Sequence, residues 1–169
     1  MGTPTLDATS GGADANSYTT LDDASTYHYT HLYASDWDSA TEHTRTVALI
    51  MATRVLDEHV KWGSSRVTST QALEWPRVDI IGKDGLIISS TTIITDLKNA
   101  TAEMARHLII KDRTVEQASR ELKNLQADVV KLEFNPTYRA PVIPPSVWEI
   151  IKFYGTLRTT PGQARLVRA

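Results

Sequence analysis

Between Ser39 and Trp62 the sequence SATEHTRTVALIMATRVLDEHVKW contains neither glycine nor proline. Within it Val47, Ala48, Met51, Ala52, Val55, Leu56, His59 and Trp62 recur at three- and four-residue steps. Glu42, Arg45, Arg54, Asp57 and Lys61 fall mainly elsewhere around the wheel. The pattern predicts one long core helix. Ser39 followed by Glu42 reads as a capping box, and Gly63 as the stop. Ala48 and Ala52 at the centre of the stripe would let a partner helix approach closely.

Thr20 is a second cap, with Asp22 and Asp23 in the first turn where carboxylates favour the helix dipole. Leu21, Ala24, Tyr27, His28, His31 and Leu32 then predict a first helix to about Tyr33, with Trp37 plugging the corner before the core helix. After Gly63 the pattern breaks. Pro76 and the turn from Gly82 to Gly85 deny a helix, while Val78, Ile80 and Ile81 before that turn and Leu86, Ile87 and Ile88 after it suit a small hairpin or an apolar-pinned loop. Helical spacing returns from Ile94 to Lys111. From Thr114 to Asn135 two patterns compete: VEQASRELKNLQADVV has helix-forming composition, while Val130, Leu132 and Phe134 alternate with Lys131 and Glu133, which favours a strand from Val129 to Phe134 that Arg120 to Leu125 could pair with across Ala127 and Asp128. A short apolar-faced helix follows from Ser146 through Val147, Ile150, Ile151 and Tyr154.

The expected fold is mainly α, a small helical bundle with a minor β-hairpin and extended N- and C-terminal arms. Residues 1–15 are small and polar and read as a flexible arm, residues 16–135 as the helical domain, and residues 136–169 as an extension with a short helix and a docking arm.

A net charge of -2 gives no global field for nucleic acid or an anionic membrane. The chain has no cysteine, which removes disulfides and thiolate metal sites. No run approaches membrane-spanning length, and the N-terminus lacks the apolar core of an export signal, so a soluble protein is expected. His28 and His31 lie one turn apart, but a pair of surface histidines is the simpler reading than a metal site. Catalytic motifs and phosphate loops are absent, and Gly82-Lys83-Asp84-Gly85 lacks the Lys-Ser/Thr ending of a phosphate loop. The expectation is no enzyme, no cofactor and no metal. The last stretch, RTTPGQARLVRA, carries three arginines and no acid. It could follow phosphates, yet it lacks stacking aromatics, and Arg165, Leu166, Val167 and Arg168 suit docking onto a protein partner.

Three stretches together, ANSYTTLDDASTYH, QALEWPR and QARLVRA, resemble the head-tail connector (adaptor, or head completion) proteins of tailed bacteriophages, some of them labelled DnaT-like single-stranded-DNA-binding domains. Ile94 stands where many relatives have a helix-starting proline. The resemblance implies a structural virion protein without catalysis, a homo-oligomeric and dodecameric ring that joins the portal protein to a downstream neck or tail protein. Genomic DNA would pass through its lumen during ejection without sequence-specific binding and without a membrane. Synthesis in the host cytoplasm and a place at the portal vertex are implied too. Gln71, Leu73, Trp75, Pro76 and Arg77 would then lock a loop onto the bundle. The competing reading is a single-stranded-DNA-binding replication or packaging accessory.

Overall fold

A computed structural model describes residue 2, residues 4–114 and 141–158, and the backbone of residues 124–127 and 130–133. Helix α1 spans Leu21–Tyr29, α2 Ser35–Ser39, α3 Glu42–His59, α4 Thr95–Ile110 and α5 Pro145–Ile151. Strand β1 is Val60–Trp62, β2 Asn124–Ala127, β3 Val130–Glu133 and β4 Gly155–Leu157. The fold is mainly helical. β1 pairs antiparallel with β4, and β2 with β3, as two separate two-stranded sheets.

α3 packs on α4, which also carries α1 and α5, so α4 is the shared inner face of the bundle. Leu49, Ala52 and Leu56 of α3 and Leu97, Ala100, Met104 and Ala105 of α4 are fully buried. Each buried leucine there contributes about 1.5–3 kcal/mol. The alanines let the two helix backbones come close.

The core stripe of α3 differs from the expected one. Thr46 and Thr53 are buried, whereas Val47 is 39% exposed. Thr53 can sit in the core because its hydroxyl donates to the Leu49 carbonyl at 3.1 Å, which satisfies the polar atom inside the helix. The cap also moves. Thr41 accepts from the Thr44 amide at 3.1 Å, because Ser39 is already the last residue of α2. At the other end the helix stops at His59, and Val60, Lys61 and Trp62 alternate buried, exposed, buried as β1. Gly63 therefore ends a strand. Its amide donates to the Tyr154 carbonyl at 3.0 Å, continuing the β1–β4 pairing.

α1 also ends earlier than the spacing predicts, at Tyr29. The third predicted helix is α4, one residue inside the expected bounds at each end. The expected strand near Val130 is present as β3, and its partner is Asn124–Ala127 instead of Arg120 to Leu125. Between Ile80 and Ile88 the chain makes only an isolated Ile81–Ile87 bridge, with Gly85 at φ 80 in the turn. Within residues 1–15, which composition places in a loose arm, the Asp7 carbonyl accepts from the Asn16 and Ser17 amides and the Gly12 carbonyl accepts from the Ala72 amide at 3.0 Å. Main-chain and Asx bonds of this kind leave no hydrophobic pattern to read.

Candidate interaction site

The QALEWPR stretch folds as a closed lock. Gln71 is buried; its Oε1 accepts from the Thr68 amide at 3.1 Å, and its Nε2 donates to the carbonyls of Leu73 at 2.8 Å and Pro76 at 3.1 Å. A single side chain thus ties both ends of its own loop. Trp75, 1% exposed, precedes a cis peptide bond to Pro76 and meets Trp62 and Tyr154 edge-to-face, with ring centroids 5.9 and 6.1 Å away. Arg77 is buried and fully engaged. Its Nε donates to Gly63 O at 2.6 Å, Nη2 to Ser64 O at 2.6 Å, and Nη1 to Glu74 O at 2.9 Å and Glu74 Oε2 at 2.7 Å. Leu73 is half-buried against the core. All five residues singled out from the sequence are brought together here.

Sequence reasoning missed the group beneath this lock. Asp57, placed by the wheel on a solvated face, accepts from Tyr18 Oη, from the Trp62 indole at 3.1 Å and from the Glu74 amide at 3.3 Å. It therefore joins α3 to the N-terminal segment, to β1 and to the motif loop. Burial raises its carboxyl to about 6 against those three donors. The Tyr18 hydroxyl is itself raised well above its usual range by burial and by the Asp57 charge. The signal that could have found Asp57 is its five-residue spacing from Trp62, which becomes visible only once the chain leaves the helix at Val60.

Next to Asp57 lies an open groove of about 560 Å³. α3 forms its floor with Ile50, Thr53 and Arg54, the motif loop forms a wall with Ala72 and Leu73, and Arg158 after β4 stands at its edge. Among the described residues Arg54 has no ion-pair partner and the Arg158 guanidinium bonds only the Val60 carbonyl, at 3.2 Å. Asp57 and Glu58 also line the groove, so its charge is mixed.

A second polar centre sits between α1 and α4. Glu103 is 3% exposed; Arg106 donates to it at 2.5 Å, and His107 and His31 lie 3.3 and 4.0 Å away. Burial would raise its carboxyl, but hydrogen bonds from His107 and Arg106 outweigh that and hold it at about 2. His28 is buried, donates from Nε2 to the Ala102 carbonyl at 3.0 Å, and stacks on Trp37 at 4.6 Å. Burial lowers its pKa. His28 and His31 are thus structural neighbours of one buried acid, and among the described residues no cluster of His, Asp or Glu is arranged to hold a metal ion. The predicted docking residues Arg165, Leu166, Val167 and Arg168 lie outside the described residues.

A family model described as "Putative DnaT-like ssDNA binding protein" matches residues 5–169. No curated protein and no solved structure matches the chain.

Proposed function

The chain belongs to the DnaT-like ssDNA-binding family, and on that premise we propose that it engages single-stranded DNA as a non-catalytic replication or packaging accessory. The observation that carries this reading is the extent of the match, residues 5–169, which takes in every residue lining the groove beside the motif loop. Arg54 and Arg158 are the groove's cations, and Lys61 is exposed nearby on β1. Such a surface follows phosphates and releases counterions, so binding there falls steeply with salt. With Trp37, Trp62 and Trp75 buried and Trp148 half-buried, little base stacking is available from the indoles, and sequence preference would be weak. An anisotropy titration of a labelled single-stranded oligonucleotide, with the duplex as comparison, tests the reading. Preference for the single strand at low salt supports it, and no binding at low salt refutes it.

A second reading, a ring-forming head-tail adaptor, is favoured by a specific observation. The QALEWPR residues of that resemblance act as a rigid lock with the indole turned into the core, and Asp57 and Glu58 line the groove beside its arginines. Mixed charge suits a protein partner better than a polyanion. In this reading Arg165 to Arg168 dock on the portal or a neighbouring subunit, and DNA passes through the lumen without being held. Finding the protein at the portal vertex of purified particles, with no measurable affinity for single strands, would decide for it.

A further inference from the structure

In the groove Arg54 and Arg158 are balanced by Asp57 and Glu58. The two acids are not alike. Glu58 is exposed, whereas Asp57 is half-buried and its hydrogen-bond partners are all neutral: the Tyr18 hydroxyl, the Trp62 indole and the Glu74 amide. Among the described residues no cation forms an ion pair with Asp57, although Arg54 stands one turn back on the same helix. A carboxylate held by neutral donors in a poorly solvated place keeps its charge at a cost that a proton removes.

The hydrogen bonds also select the oxygen that takes this proton. Tyr18 and Trp62 both donate to Oδ1, and only the Glu74 amide, at 3.3 Å, donates to Oδ2. A carboxylic acid protonated on Oδ2 keeps both bonds at Oδ1 and gives up the longest of the three. The ties from α3 to the N-terminal segment and to β1 therefore survive neutralisation. The change is confined to the loop that walls the groove.

The other titratable groups around Asp57 are accounted for. Burial and the Asp57 charge hold the Tyr18 hydroxyl well above its usual range, so it stays neutral. Glu74 faces Asp57 as a like charge and is tied to Arg77 at 2.7 Å. The Nδ1 atom of His59, on the same helix, is taken by the Val55 carbonyl at 3.0 Å. Arg54, Glu58 and Arg158 share the groove, and Lys61 is exposed nearby. Burial first, and then the Glu74 charge, raise the Asp57 carboxyl to about 6.

We propose that the groove is a proton-linked site for single-stranded DNA, with Asp57 as the residue that regulates it: ionised, it cancels one arginine and repels phosphate, and neutral, it leaves the groove with a net positive charge. This rests on the single-stranded-DNA reading of the groove and adds its regulation. One unit charge about 7 Å from a phosphate, at a dielectric between that of water and that of a protein surface, changes affinity about three- to tenfold. Binding therefore tightens as pH falls through about 6. By reciprocity the bound strand raises the proton affinity of Asp57 by the same factor.

The test is an anisotropy titration of the full chain and of Asp57→Asn with labelled oligo(dT), whose bases do not titrate in this range, at fixed low salt from above neutrality down to about pH 5. Circular dichroism checks the fold at each pH. The parent should bind about three- to tenfold more tightly at the acid end. Asp57→Asn, neutral throughout, should match the parent's acid-end affinity at every pH, and histidine effects common to both proteins cancel in the comparison. If the variant does not fold, the Asp57 carboxyl carbon resonance of the isotope-labelled parent carries the test: saturation with oligo(dT) should move its titration midpoint to higher pH. A parent whose binding follows the same pH dependence as Asp57→Asn, or a midpoint that oligo(dT) does not move, overturns the inference and leaves the single-stranded-DNA reading standing. A parent that binds no oligo(dT) at low salt at any pH overturns both.

Discussion

Arg77 donates through Nε to the carbonyl of Gly63 at 2.6 Å, joining the end of the QALEWPR motif to the residue where β1 stops. The same guanidinium takes Ser64 and Glu74, so a planar fork of donors closes a loop that no regular ladder holds. The groove wall formed by Ala72 and Leu73 depends on that closure.

Arg77→Met should therefore destabilise the protein by roughly 1–3 kcal/mol, because it removes the charge-assisted hydrogen bonds that the buried guanidinium makes to the Gly63, Ser64 and Glu74 carbonyls. Arg77→Lys should recover only part of this, since one ammonium cannot reach all the acceptors of the fork. Urea unfolding measures both. A midpoint for Arg77→Met equal to the parent's would mean that the lock carries no stability.

Asp57 predicts a pH dependence with a definite sign. Burial raises its carboxyl from 3.8 to about 6 in the folded state, so the folded protein binds this proton more tightly than the unfolded chain does. The contribution to stability is full below pH 3.8 and is lost as pH rises through about 6. Glu103 runs the other way: held at about 2 against an ordinary 4.5, it contributes stability above 4.5 that is lost as pH falls through about 2. His28, lowered by burial, works the other way, so the Asp57 contribution is read as a difference: from pH 4.5 upward the urea midpoints of the parent should fall relative to those of Asp57→Asn. An identical slope in the variant would remove Asp57 as its source.

Two further substitutions test the packing directly. Ala52 is fully buried, and Ala52→Asp places an unpaired carboxylate in the α3–α4 contact at a cost of several kcal/mol, comparable to the whole stability of a small domain. It should leave the protein unfolded or insoluble. Gly155→Ala puts a Cβ at 2.8 Å from Val60 Cγ1 and 2.9 Å from the Lys61 carbonyl, and the backbone oxygen cannot rotate away. The β1–β4 pair should open, with a loss of about 1–3 kcal/mol by thermal unfolding. A melting curve like the parent's for either variant would contradict the packing.

The helices were legible because their apolar spacing is local, and the Thr20 cap and α4 follow from composition within a few residues. β1 was hidden because Val60 and Trp62 continue the helical stripe, and only the distant pairing with Gly155–Leu157 makes that stretch extended. Thr53 escaped the core pattern because a hydroxyl bonded inside its own helix behaves as an apolar group. The QALEWPR residues lie together in one loop, and Asp57, which joins that loop to α3, was not legible, since a carboxylate in a helix reads as solvated until its donors are known. Those donors come from Tyr18, Trp62 and Glu74, on three other segments.

The claim that this chain holds single-stranded DNA through Arg54 and Arg158 is tested most directly by the salt dependence of that binding in the parent and in Arg54→Glu/Arg158→Glu. For single strands log K falls with log salt at a slope of about −0.7 per phosphate neutralised, so removing two contacts should flatten the slope by about 1.4 as well as weakening binding. A flatter, weaker line in the variant is the predicted result. A parent that binds no single strand at low salt, or a variant whose line overlays the parent's, would contradict the account.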